Sequence, residues 1–146
     1  MIRPYYLLDT NIVSEFLRTQ QNEQVRKNFL KYERLCAMPA TAWNELLFGV
    51  QIMAAGKKHD YLLDKLVNNI QSRHSIIPYD NHAAWIQADI RARLQEAGTP
   101  IDFQDTQTAA IAVSNGMILV TRNTKHFAPI QAVSPLLLEN WFEAVA

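Results

Sequence analysis

Asp9 closes the apolar run Tyr5-Tyr6-Leu7-Leu8 and is followed by Thr10-Asn11 and an amphipathic stretch. A carboxylate in that place stands at the rim of an α/β sheet, where such sheets take their ligands. Two more acids lie beside apolar residues in the same manner. Glu45 sits within Trp43-Asn44-Glu45-Leu46-Leu47-Phe48-Gly49, where a charge packed among large apolar side chains carries a heavy desolvation cost unless it is paired or bound to a cation. Asp105 opens the Ala-rich run Asp105-Thr106-Gln107-Thr108-Ala109-Ala110, at what would be the positive end of a helix. Converging carboxylates of this kind hold a hard divalent cation rather than a cofactor ring. Each acid also has an ordinary reading. Asp9 caps the helix behind it, Asp102 and Asp105 form an Asp-x-x-Asp cap, and Glu45 pairs with an arginine. Taken singly, each acid is better explained by its ordinary reading; their joint pattern with the segment Leu119–Phe127 weighs against it.

The elements that must position these acids are short. Tyr5–Leu8 reads as a buried strand and Asn11 to Arg18 as a helix with Ile12, Val13, Phe16 and Leu17 on one face. Val25, Phe29, Leu30 and Tyr32 predict a second helix, and Leu35–Met38 a strand that Pro39 ends. Thr41 is the expected N-cap of a helix carrying Trp43, Leu46, Leu47, Val50 and Ile52, closed by Gly56. Tyr61 to Ile70 is helical by spacing, and Ser75–Pro78 is a short strand. Asp80 caps a helix through Leu94 that Gly98-Thr99-Pro100 stops. A helix from Asp102 or Phe103 runs to Asn115-Gly116, then Met117–Val120 forms the clearest strand. Gln131–Val133 is expected as a last strand, before a C-terminal stretch through Leu138, Trp141 and Phe142. Short strands alternating with helices predict a three-layer α/β fold with a small, mainly parallel sheet flanked by helices.

At 146 residues and 49% hydrophobic composition, the chain fits one substantial core, so one domain is expected over residues 1–146. A formal net charge of zero announces neither nucleic acid nor membrane, although a local basic rim binds phosphates on a neutral protein as well. The single cysteine, Cys36, lies in an apolar run and reads as a small buried hydrophobe of a reducing compartment. The apolar run before Asp9 is too short for a signal peptide, and no segment is long enough to span a bilayer; a cytoplasmic protein is expected.

Other chemistries find little support. His59, His74, His82 and His126 show no zinc-ligand spacing with each other or with Cys36, and read as surface or capping histidines. The four glycines are scattered singly, so no phosphate-cradling loop exists, and no Gly-x-Ser-x-Gly elbow marks a serine hydrolase. Arg122 and Lys125 belong to a polar turn after Leu119-Val120 and are candidates for a phosphate-binding rim. Arg91 and Arg93 read as a solvated helix face; Tyr5, Trp43 and Trp85 read as core rather than base-stacking platforms.

Leu8-Asp9-Thr10-Asn11, Asn44-Glu45-Leu46-Leu47-Phe48-Gly49, Pro100-Ile101-x-x-x-Asp105-x-x-x-Ala109-Ala110 and Val120-Thr121-Arg122-Asn123-Thr124-Lys125-His126-Phe127 resemble, in order, the motifs of PIN-domain nucleases. More narrowly, the set is similar to the VapC-type toxins of type II toxin–antitoxin pairs, down to Glu139-Asn140-Trp141. The resemblance implies an endoribonuclease dependent on Mg²⁺ or Mn²⁺, with Asp9, Glu45 and Asp105 as acids that are both catalytic and metal-holding. The family's fourth polar position, frequently Asp, falls on Asn123, and Asp102 stands where many relatives carry a small residue. Thr10, Asn11, Asp102, Thr121, Arg122, Lys125 and His126 are the accessory or phosphate-contacting candidates. His126 is the exception among the histidines: the resemblance implies a place near the site mouth, where it either contacts phosphate or stabilises a turn. With an amide at 123, one tightly held ion and a second recruited by substrate is the expected arrangement. The resemblance also implies an RNA substrate, a cognate antitoxin and a homodimer, to which Tyr61-Leu62-Leu63 with Leu66 could contribute an apolar patch. The competing reading is a catalytically weak PIN-like binding module. A DNA flap nuclease on the same fold would need insertions for which the chain has no room.

Overall fold

The computed structural model describes residues 5–143; the one-domain expectation over 1–146 extends past them at both ends. The elements in chain order are β1 (Tyr6–Leu8), α1 (Thr10–Phe16), α2 (Glu23–Tyr32), a single 3₁₀ turn (Glu33–Leu35), β2 (Cys36–Pro39), α3 (Ala40–Gln51) and α4 (Lys57–Asp64). Helix α4 runs on as a π-helical segment, Lys65–Gln71, before β3 (Ser75–Ile77), α5 (Asn81–Ala97), α6 (Phe103–Ser114), β4 (Ile118–Val120), α7 (Thr124–Val133) and β5 (Leu137–Glu139).

The five strands lie in the order β3-β2-β1-β4-β5, and every neighbouring pair is parallel. β1 is therefore central, and its residues Tyr6, Leu7 and Leu8 are all buried. The pleat divides them between two cores. Leu7, Ala37 and Leu119 face α5, α6 and α7 with Ile90, Leu94, Ile111, Phe127 and Ile130. Tyr6, Leu8, Cys36, Met38 and Val120 face the other way, toward Ile12, Val25, Leu46 and Leu66. Two helical layers over a parallel sheet give the expected three-layer α/β arrangement. Cys36 is buried in the second core, and burial pushes its thiol up to about 12.

Capping residues set several boundaries. Asn22 accepts from the Val25 N–H at the start of α2, and Asp80 accepts from the Ala83 N–H at the start of α5. Gly98 ends α5 in the left-handed region at φ 72°, where a residue without a Cβ is favoured.

Five sequence expectations change. Helix α3 starts at Ala40 directly after the extended Pro39, so Thr41 is inside the helix, and its hydroxyl meets that of Thr108 at 2.6 Å. Gly56 does not close α3, which stops at Gln51; Gly56 instead precedes α4. Gln131–Val133 is the last turn of α7, and the fifth strand is Leu137–Glu139, paired with β4 through Leu119↔Leu138. The helical spacing of Phe127 and Ile130, both buried, continues through that turn and overrides a three-residue β-like pattern. Tyr5 and Trp85 are not core: Trp85 is 73% exposed and Tyr5 49%. The proposed apolar patch also divides, since Leu66 is fully buried while Tyr61 stands exposed.

Candidate active site

The direction of strand addition reverses between β1 and β4: β2 and β3 lie to one side of β1, β4 and β5 to the other. In open α/β sheets the crevice at the carboxyl ends of such a pair is where ligands bind. Asp9 leaves β1 and Thr121 leaves β4 into that crevice. The Asp9 N–H donates to the Val120 carbonyl at 3.0 Å, so the two strand ends are tied by backbone as well. Thr121 Oγ1 donates to Asp9 Oδ2 at 3.0 Å and accepts from Asn11 Nδ2 and from the Asn123 N–H, each at 3.2 Å. Asn11 Oδ1 in turn accepts from the Arg122 N–H at 3.0 Å. Asp9 Oδ1 takes the Thr10 N–H at 2.9 Å, and Asp9 is the residue before α1. The capping reading of Asp9 is thus realised, with its carboxylate facing the crevice.

Glu45 joins from α3. Its carboxylate accepts from the Thr10 hydroxyl and from Gln104 Nε2, not from an arginine. It is exposed rather than packed among its apolar neighbours, because Leu46 and Val50 turn inward from the same helix. Asp102 and Asp105 come from the start of α6. Asp102 Oδ2 accepts from the Asp105 N–H at 3.2 Å, so the expected Asp-x-x-Asp cap forms. His126, in the first turn of α7, places Nε2 at 2.6 Å from Asp105 Oδ2 and 3.2 Å from Asp102 Oδ1.

Behind this rim a buried amide fixes the start of α6. Gln87 on α5 donates to the Phe103 carbonyl at 3.1 Å and to Thr106 Oγ1 at 3.0 Å, and accepts from the Tyr79 hydroxyl.

The electrostatics are those of crowded acids. Burial raises the Asp9 carboxyl, with the Glu45 charge adding to it, while the Thr10 and Thr121 hydrogen bonds oppose. Asp105 is pushed up to about 6 by burial and by the hydrogen bond and charge of Asp102. Asp102 is lowered, first by its hydrogen bond with Asp105. Burial works against a charge on His126, but its hydrogen bonds to Asp105 and Asp102 outweigh burial and the net shift is upward.

These residues fit a divalent cation by the chemistry of the donor set: four carboxylates on one rim, with Asp9 and Asp105 both raised above the ordinary carboxylate value, is an arrangement a cation relieves. The tightest grouping is Asp102, Asp105 and His126, whose ligand atoms all lie within 4.8 Å of one another. Among the described residues no group of three at that spacing includes Asp9 or Glu45; those two stand beside the trio, joined to each other through Thr10. Arg122, Asn123, Thr124, Lys125, His126 and Asp105 line a shallow opening at the mouth. The expected polar turn is shorter than predicted, since Lys125 and His126 already belong to α7. The Arg122 guanidinium lies over the Phe142 ring at 4.5 Å from its centre. Arg93 pairs with Asp89 and Arg91 covers Phe103, so both belong to the solvated face of α5. A separate cleft of about 290 Å³ lies under α1 and α2, lined by Val13, Phe16, Phe29 and Met38, and shares no residue with the acidic rim.

Gln104 and Gln87 were not among the sequence candidates. Gln104 sits between Asp102 and Asp105 in the chain, and only the approach of α3 to α6 gives it Glu45 as a partner. His126 was expected to contact phosphate or to stabilise a turn; its carboxylate partners follow from the packing of α7 beside α6.

The chain matches the PIN domain family over residues 6–131 and belongs to that family. Among curated relatives, it is 35% identical to Toxin FitB of Neisseria gonorrhoeae over 127 residues, covering 83% of this chain and 89% of that protein. It is 30% identical to the tRNA(fMet)-specific endonuclease VapC of Salmonella typhimurium over 137 residues, covering 93% and 97%. The solved structure of FitAB bound to a DNA fragment contains a chain that superposes with a TM-score of 0.85 at 29% identity, covering 97% of this chain and 98% of that one.

Proposed function

We propose that the protein is a metal-dependent endoribonuclease that hydrolyses RNA phosphodiester bonds and serves as the toxin of a type II toxin–antitoxin pair. The observation that carries this reading is the gathering of Asp9, Glu45, Asp102 and Asp105 at the switch point of a parallel sheet, in a chain similar over most of its length to proteins named as a VapC endonuclease and a FitB toxin. Asp9, Glu45 and Asp105 are the acids we assign to Mg²⁺ or Mn²⁺, with Asn123 at the fourth polar position. When bound, such an ion orients the scissile phosphate, lowers the pKa of an attacking water and stabilises the charge that develops.

The chain's own residues do the positioning. Thr121 and Thr10 aim the two oxygens of Asp9, and Thr10 and Gln104 hold Glu45 beside it. Asn11 anchors the backbone of Arg122, leaving Arg122 and Lys125 at the mouth to take flanking phosphates. An RNA substrate is supported by the name of the Salmonella relative, and an antitoxin partner by the FitAB complex that holds the similar chain. A homodimer fits the exposed apolar residues Phe48 on α3, Ile52 just after it and Tyr61 on α4.

The test is cleavage of structured RNA by purified protein with and without Mg²⁺ or Mn²⁺. Cutting should require the ion and fall about 100-fold or more in Asp9→Asn and in Asp105→Asn, the scale seen when an electrostatic contact to the reacting group is lost. Folded variants that cut as well as the parent, or undiminished cutting in chelator, overturn the reading.

A further inference from the structure

We propose that His126 is a nitrogen ligand of the cation held by Asp105, with Asp102 beside it, and that the site consequently prefers a first-row transition-metal ion to Mg²⁺. This rests on the metal-dependent reading above and specifies the ion.

The three donors come from two elements that converge at the mouth: Asp102 and Asp105 from the start of α6, His126 from the first turn of α7. The imidazole Nε2 lies 2.6 Å from one oxygen of Asp105 and 3.2 Å from one oxygen of Asp102. Ligands about 2.1 Å from an octahedral ion sit about 3 Å from their neighbours, which those two distances bracket. His126 is held in place by its backbone, whose N–H donates to the Asn123 carbonyl at 3.0 Å. Its side chain is 46% exposed, so core packing does not force it against the acids. Among the described residues no lysine or arginine pairs with Asp102 or Asp105; the imidazole is their one basic partner, and a bound ion would take the place of its Nε2 proton. A site meant for Mg²⁺ alone is best served by oxygen donors and retained water. An imidazole nitrogen shifts affinity along the series toward Mn²⁺ and, more strongly, Co²⁺.

Mn²⁺ is the probe, because its pulsed-EPR spectrum reports a directly bonded ¹⁴N. The wild-type protein loaded with one Mn²⁺ should show imidazole nitrogen modulation, altered by ¹⁵N-histidine labelling and lost in both His126→Gln and His126→Ala. In competition titrations Mn²⁺ affinity should fall about tenfold in His126→Gln, with Mg²⁺ affinity changing less than about threefold. Circular dichroism checks that each variant is folded. Tightly bound Mn²⁺ without nitrogen modulation in the wild type overturns the proposal and leaves metal dependence standing. Failure of the wild type to bind Mn²⁺ or Mg²⁺ at all overturns both.

Discussion

Thr121 has no exposed surface, and its hydroxyl is saturated: one hydrogen bond given to Asp9 and two received, from Asn11 and from the backbone of Asn123. Valine matches its shape and supplies none of these. Thr121→Val leaves a carboxylate oxygen, an amide and a backbone N–H without their partner, a loss of about 2–4 kcal/mol. In a chain of this size that lowers the melting temperature by about 5–15 °C. Thr121→Ser restores the hydroxyl and should recover most of the loss; thermal denaturation of the two variants checks the difference. Asp105 gives the site its pH dependence. Its carboxyl lies at about 6, and a cation binds the ionised form. Affinity for Mn²⁺ should therefore weaken as pH falls through about 6, by at least about tenfold per unit below it, and the proton that His126 must release to bind the ion adds to that fall. Calorimetric titrations at pH 5, 6 and 7 measure that slope, and a flat profile would remove Asp105 from the ligands. Asp9 and Asp105 stood out in the sequence because each closes or opens an apolar run, and Thr121 only through the family resemblance. Gln104 was not, because nothing in the chain order places it against a residue 59 positions away.

At the scale of elements, α6 is the part whose placement decides the site, since it presents Asp102 and Asp105 together. Its first turn is pinned from behind by Gln87, which is 2% exposed and donates to both Phe103 and Thr106. Gln87→Leu should cost about 2–3 kcal/mol through the buried groups it strands. Hydrogen exchange should then quicken at the first amides of α6, with those of β4 little changed. Gly98, by contrast, acts only on its own boundary. A Cβ there would meet nothing within 4 Å, so Gly98→Ala should cost about 1 kcal/mol through its φ of 72° alone. Helices with a capping side chain and a long apolar stripe were legible at nearly their true bounds, as α5 shows between Asp80 and Gly98. Three-residue strands were harder. Gln131–Val133 and Leu137–Glu139 offer patterns of equal length, and only pairing with β4 picks out the second. Thr41 misled for a related reason: a threonine before an apolar helix looks like a cap, yet Pro39 is already extended and the helix begins behind it.

The whole molecule supplies what no segment could, the meeting of Asp9 with Thr121 across 112 positions of chain. Alternation of strands and helices made a parallel sheet legible, but the order β3-β2-β1-β4-β5 depends on which faces pack, and that order creates the crevice. The acids gathered there act on the stability of the entire fold. Asp105 titrates higher in the folded protein, at about 6, than its ordinary value of 3.8. The stability this contributes is complete below the ordinary value and is lost as pH rises through about 6. Asp9, raised in the same direction by burial, adds to the trend. An ion bound to the folded state reverses it. At 100 times its dissociation constant it stabilises by about 2.7 kcal/mol, or about 5–10 °C in a chain of this length. Differential scanning calorimetry with saturating Mn²⁺ should show that rise at pH 7.5, a much smaller one at pH 5, and almost none in Asp105→Asn. The metal-free variant, relieved of the carboxylate's ionisation cost, should lose less stability than the wild type between pH 5 and pH 7.5. Equal Mn²⁺ responses in the wild type and the variant would place the ion elsewhere on the molecule.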